Sequence, residues 1–200
     1  MFGQEGSGGR GAGGVVLGID PGLSRCGYGA LRRDGHRMVP VAYGVLRTPP
    51  ETDLPERLAQ LQADLEELLD DLRPEEVAVE RILFQHNARS AITVGQASGL
   101  ALAAAARRGI PVTHYSPNEV KLAVTGDGAA DKAAVQAMVT RLCGLTETPR
   151  PPDAADALAL AACHLWASPV RAGAAAATGV GGRGGFDRAV AAALARDGAR

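Results

Sequence analysis

Four carboxylates sit where a carboxylate needs a reason. Asp20 ends the apolar run VVLGID at 15–20, and Glu80 ends EVAVE at 76–80. A short apolar run of this kind reads as a strand buried on both faces, where an unpaired charge is costly. Asp before Pro21-Gly22 also suits turn chemistry, so Asp20 alone leaves both readings open. Asp153 and Asp156 follow prolines in PPDAADALALAA, 151–162. That order predicts a helix whose first turn carries both acids at i and i+3, on one face. Acids at a helix N-terminus also favour the macrodipole, which explains one of them without any ligand. The Ala and Leu around them predict that this helix packs on a sheet, and two acids on an inward or edge face then call for a cation. Asp20, Glu80, Asp153 and Asp156 together form an oxygen-only donor set suited to a hard divalent metal. Two such ions about 4 Å apart would clamp a phosphodiester, one activating water and one stabilising the leaving oxygen. No Cys or His joins the set, which disfavours zinc.

A scaffold must bring these distant residues together. The pattern predicts strands over 15–20, 27–32 and 38–46, the last two joined by the RDGH turn at 33–36. Short connections make these three an antiparallel meander. Thr52 or Asp53 then caps a helix running to Leu72, with leucines at 54, 58, 61, 65, 68 and 72 in helical spacing. A strand at 76–80, a helix over 87–108 and a strand at 111–114 follow. Helices near 117–124, 131–143 and 153–166 complete the chain. The fold class is α/β: a mixed sheet, three antiparallel strands and then parallel ones, flanked by helices. If the strands ending in Asp20 and Glu80 are neighbours, their acids stand side by side.

The chain has 200 residues, 46% hydrophobic, which suits one domain with a real core at 15–167. Residues 1–14 are glycine-rich and 168–200 Ala/Gly-rich, and both are expected to be flexible tails. The start lacks the basic-then-apolar layout of a signal peptide, and no stretch is long and apolar enough to span a bilayer, so a cytoplasmic protein is expected. Cys26, Cys143 and Cys163 are odd in number and in no ligand spacing, which reads as reduced thiols. Cys163 and His164 are adjacent and read as core packing rather than a metal site. The net charge of −1 hides an asymmetry: residues 51–80 hold eleven acids and two arginines, a balance of −9, leaving +8 for the rest. Such a chain either presents a basic face to a polyanion or simply carries one solvated acidic helix.

The motifs GIDPG at 18–22, VERILFQHN at 79–87, GDGAADKAAV at 126–135 and DAADALA at 153–159, in this order, resemble the RuvC family of Holliday junction resolvases. The resemblance covers roughly residues 15–166. It implies a ribonuclease-H-like fold, a homodimer, and Mg²⁺-dependent paired nicking of four-way junction DNA in recombination and repair. The implied products are a 5′-phosphate and a 3′-hydroxyl. Two Mg²⁺ ions per active site are implied, with Mn²⁺ as a substitute, and the family's acids fall on Asp20, Glu80, Asp153 and Asp156. Lys121 and Lys132, the only lysines beside nineteen arginines, align with basic residues near the scissile phosphate and the DNA backbone; they also read as ordinary surface lysines. The family's junction-wedging aromatic falls on Leu83, with Phe84 one position later, and Phe84 reads either as a stacking group or as core. Arg89 reads as a phosphate contact or a solvated side chain. A branch-migration helicase complex of the RuvA–RuvB type is the implied partner. Two other readings are weighed: a non-catalytic junction-binding module, and an actin-type ATPase, whose phosphate loop also resembles GIDPG. The second would need another lobe, for which the chain has no room. The first would gain nothing from four acids that repel phosphate.

Overall fold

The computed structural model describes residues 13–35, 37–81 and 88–178, with the backbone alone for 88–90 and 168–178. Leu83 and Phe84 therefore lie outside the described residues, as do most of the expected N-terminal tail and everything beyond 178. The chain divides into two compact units after Trp166. Among the described residues ten elements follow in order: β1 (Val15–Asp20), β2 (Arg25–Asp34), β3 (Arg37–Arg47), α1 (Leu54–Leu72), β4 (Glu76–Glu80), α2 (Ala88–Arg107), β5 (Val112–Tyr115), α3 (Pro117–Thr125), α4 (Lys132–Leu142) and α5 (Pro152–Thr178). The five strands form one sheet ordered β3-β2-β1-β4-β5. β1, β2 and β3 are antiparallel, while β4 joins β1 and β5 joins β4 in parallel. This is the expected ribonuclease-H-like mixed sheet.

Strand alternation decides what each face meets. Leu17, Ile19, Val77 and Val79 point to one side and form a core with Leu61, Leu65 and Leu69 of α1 and Ala97, Ala101 and Ala104 of α2. The opposite side of β1 carries Val16, Gly18 and Asp20, and that of β4 carries Glu76, Ala78 and Glu80. α5 covers this second face at very short range. A Cβ at Gly18 would lie 2.0 Å from the Ala157 carbonyl oxygen, and one at Gly27 would lie 2.3 Å from that of Asp153. Glycine is therefore obligatory where α5 crosses, and the helix backbone rests directly on the strands.

α1 follows Asp53, which occupies the N-cap without a side-chain hydrogen bond, so Pro55 and leucine packing start this helix rather than a cap. α3 has the stronger signal, a capping box between Ser116 and Glu119. β3 is an edge strand; it contains Pro40, paired with Leu31, and its register with β2 shifts between Ala30 and Leu31. Cys26, Cys143 and Cys163 are buried and in no disulfide. Burial pushes the Cys26 thiol up to about 12 and the Cys143 thiol up to about 11, so neither is a reactive thiolate. His164 is buried in α5, between the Tyr115 hydroxyl at 3.1 Å and Glu76 Oε2 at 2.5 Å. Among the described residues no helix is long and apolar enough to cross a membrane.

Candidate active site

Parallel pairing of β1 with β4 aligns Ile19 with Val79, so the next residues, Asp20 and Glu80, end adjacent strands on the same face. On the other side of β1, Gly27 pairs with Asp20. Because Gly27 has no side chain, the first turn of α5 settles beside Asp20, and that turn carries Asp153 and Asp156. Four acids from three separated segments thus meet at one rim of the sheet.

They do not all line one space. Asp20, Glu80 and Asp156 share a hollow of about 270 Å³ with Lys121 and Lys132. Asp153 lies on the far side of Asp20, in a neighbouring hollow with Arg25 and Arg57. Lys132, the first residue of α4, places its ammonium 2.6 Å from Asp156 Oδ2. Arg25 Nε stands 3.5 Å from Asp153 Oδ2. Lys121 lines the hollow from α3. Arg89 lies in the first turn of α2, and its side chain is not described.

The electrostatics report crowding. Burial, reinforced by the negative charges of Glu80, Asp156 and Asp153, pushes the Asp20 carboxyl up to about 7, against the opposing pull of Lys132. Burial and Asp156 also raise Glu80, offset by Lys132 and by a hydrogen bond from Asp20. Two neighbouring carboxyls both raised in this way lack sufficient positive charge around them. Lys132 is held above its ordinary range, first by its hydrogen bond to Asp156.

The donor chemistry fits a hard divalent cation, being all oxygen and short of positive charge. The side-chain arrangement is another matter. Among the described residues no group of three His, Cys, Asp or Glu side chains is arranged to hold an ion. Asp156 is turned to Lys132 and Asp153 to Arg25, so each must leave a cation before joining Asp20 and Glu80 around a metal.

Arg25, Arg57, Gly18 and Gly27 were not singled out from sequence. The glycines left a signal, since Gly27 and Gly29 in β2 alternate onto one face as Gly18 does in β1. Only the register shows that this face meets α5.

Residues 16–164 match the family described as crossover junction endodeoxyribonuclease RuvC. The protein of that name from Salinispora arenicola is 54% identical over 171 residues, covering 85% of this chain and 98% of the relative. Among solved structures, Thermus thermophilus RuvC is 39% identical with a TM-score of 0.73, over 78% of this chain and 96% of that one. The same protein in complex with a Holliday junction substrate matches with a TM-score of 0.74, at the same identity and coverage. With the sheet order, the strand-end acids and these likenesses in agreement, the chain belongs to the RuvC family of crossover junction endodeoxyribonucleases.

Proposed function

We propose that the protein resolves Holliday junctions by paired, near-symmetric nicks, hydrolysing phosphodiester bonds with the help of two Mg²⁺ ions held by Asp20, Glu80, Asp153 and Asp156. The observation that carries this reading is the crowding of four carboxylates at one sheet rim, with Asp20 pushed up to about 7. The likeness to a RuvC solved with junction DNA points to the substrate. A divalent pair bound there supplies Lewis acidity, lowering the pKa of the attacking water and offsetting charge on the leaving 3′ oxygen.

The chain's own residues do the rest. Asp20 and Glu80, fixed on neighbouring strands, set the centre of the site with little freedom to move. Asp153 and Asp156 close it from the side where α5 rests. Lys132 and Lys121 face the same hollow and orient the substrate's non-bridging phosphate oxygens. The products retain a 5′-phosphate and a 3′-hydroxyl, so the nicks can be ligated. A homodimer would present two such sites to opposed strands. Mn²⁺ would substitute for Mg²⁺, since both take oxygen ligands. The setting is cytoplasmic recombination and DNA repair, with a RuvA–RuvB-type motor as partner.

The direct test is a four-way junction with labelled strands, incubated with the full chain and Mg²⁺. Two opposed ligatable nicks are expected, with none in EDTA. Junction binding without cleavage at any divalent ion concentration would favour the non-catalytic module instead.

Lys132 carries a separate expectation. Its ammonium holds Asp156 as a counter-ion, so it competes with a metal for that carboxylate. Lys132→Ala should bind Mg²⁺ more tightly in the absence of DNA, by roughly 5-fold, the scale of one partly exposed ion pair. Lys132→Arg, which keeps the charge, should stay close to the parent. Calorimetric titration measures both; equal or weaker binding by the alanine variant would refute the competition.

A further inference from the structure

The strand ends form a row along one rim of the sheet, in the order β3, β2, β1, β4, β5. Asp20 and Glu80 hold the middle of that row. Beyond the lysines on the β4 side, a second set of cations extends the other way. Three hollows lead from Asp20 toward β3 and past it. The first, about 290 Å³, includes Arg25 and Arg57; the second, about 490 Å³, shares Arg25 and adds Arg47; the third, about 710 Å³, shares Arg47 and adds Arg150. The shared walls make one groove that widens away from the acids.

Its chemistry is one-sided. Asp20 and Asp153 line only the hollow at the catalytic end, and no carboxylate lines the outer two. Arg25, Arg47 and Arg150 are exposed. Arg57 is held in place by Nε donating to Thr48 Oγ1 at 3.0 Å and Nη2 donating to Ser24 Oγ at 2.6 Å. Prolines 49, 50, 149, 151 and 152 stiffen the outer walls, so the arginines hang on backbone that needs little ordering. Of the acids of α1, Glu66 and Asp70 pair with Arg107 and Arg108, roughly 13–20 Å along the helix from Arg57, and Glu56, beside Arg57 in the first turn, lines none of the three hollows. Arg25 is paired with Asp153 at the catalytic end, whereas Arg47 and Arg150 line hollows without a carboxylate. A row of guanidiniums that begins at a phosphodiester-cleaving centre and ends past an edge strand roughly 10 Å away fits a polyanion laid along it.

We propose that this groove carries the sugar–phosphate backbone of one duplex arm leading away from the reacting phosphate, with Arg25, Arg47 and Arg150 as successive phosphate contacts and Arg57 as a fixed strut. The inference rests on the nuclease reading above and extends its substrate surface beyond the acids and lysines. Contacts of this kind position DNA without reading its sequence.

The test uses the full chain with the double change Arg47→Gln/Arg150→Gln, and binding to four-way junction DNA in EDTA so that no strand is cut. At about 0.15 M salt the double variant should bind roughly 10-fold more weakly, and the slope of log affinity against log salt should flatten by about one for each lost contact. Arg107→Gln, which removes an arginine paired with Glu66, should keep the parent affinity and slope. The proposal is overturned if the double variant binds like the parent at every salt concentration, or if Arg107→Gln loses as much. Junction nicking by the unaltered protein in Mg²⁺ is measured alongside. Absence of nicking sinks the nuclease reading, whereas nicking with unchanged binding by the double variant sinks the groove alone.

Discussion

Asp20→Asn should abolish junction cleavage and at the same time make the protein harder to unfold when no metal is added. The loss is expected to reach about 10³-fold or more, the rate equivalent of several kcal/mol of forfeited charge stabilisation. Junction affinity should survive, because one fewer negative charge at the rim does not repel DNA. The gain in stability follows from the raised carboxyl of Asp20, at about 7 against an ordinary 3.8. A folded-state pKa above the unfolded one means that the native protein holds the proton more tightly. Its stability advantage is complete below about pH 4 and is lost as pH rises through about 7. Asparagine cannot ionise, so it escapes that loss. In EDTA the variant should match the parent near pH 4 and exceed it by about 2 kcal/mol at pH 8, after allowance for the partial exposure of the site. Added Mg²⁺ should reverse the order by stabilising only the parent. Denaturant unfolding at the two pH values decides it; a variant less stable than the parent at pH 8 without metal would show that the acids are not in conflict.

Gly18→Ala should be nearly as damaging, although it removes no functional group. The new methyl would lie 2.0 Å from the Ala157 carbonyl oxygen and 2.8 Å from the Ala161 nitrogen. Both belong to helix backbone, which cannot rotate aside as a side chain can. α5 must lift, at a cost of about 3 kcal/mol, the upper range for overpacking. Lifting also carries Asp153 and Asp156 away from Asp20 and Glu80. A displacement of about 1 Å in such a constellation is worth about 10²-fold in rate, so the fraction that folds should still cleave poorly. Thermal unfolding and single-turnover cleavage at saturating protein separate the two effects. Parent-like values in both would mean that α5 has slack which the packing does not reveal.

The strands and helices were largely legible because their signals are local. VVLGID and EVAVE are apolar runs closed by acids, and both are strands; the leucine spacing of α1 and the Pro-Pro-Asp start of α5 also survive folding. The strand-end logic that paired Asp20 with Glu80 needed one further fact, that β4 inserts next to β1 rather than at an edge. The right-handed crossover habit of parallel strands makes that neighbourly arrangement natural. What could not be read is what depends on register and side-chain direction. Arg25 and Arg57 are ordinary arginines in sequence, and only the β1–β2 turn and the start of α1 bring them to the acids. The turning of Asp156 to Lys132 and of Asp153 to Arg25 is equally invisible along the chain. Cap placement at α1 was near the mark in position, yet Asp53 makes no capping bond, since leucine burial alone suffices to hold that helix.

Strand β3 stands at the open margin of the sheet, with Pro40 inside it beside a register shift against β2. An unbroken margin would offer a ladder of free N–H and C=O groups to any other copy of the chain. Pro40 removes one donor from that ladder, and the shift bends the rest out of line. Copies of the chain at high concentration can therefore avoid seeding a shared fibrillar sheet through this margin.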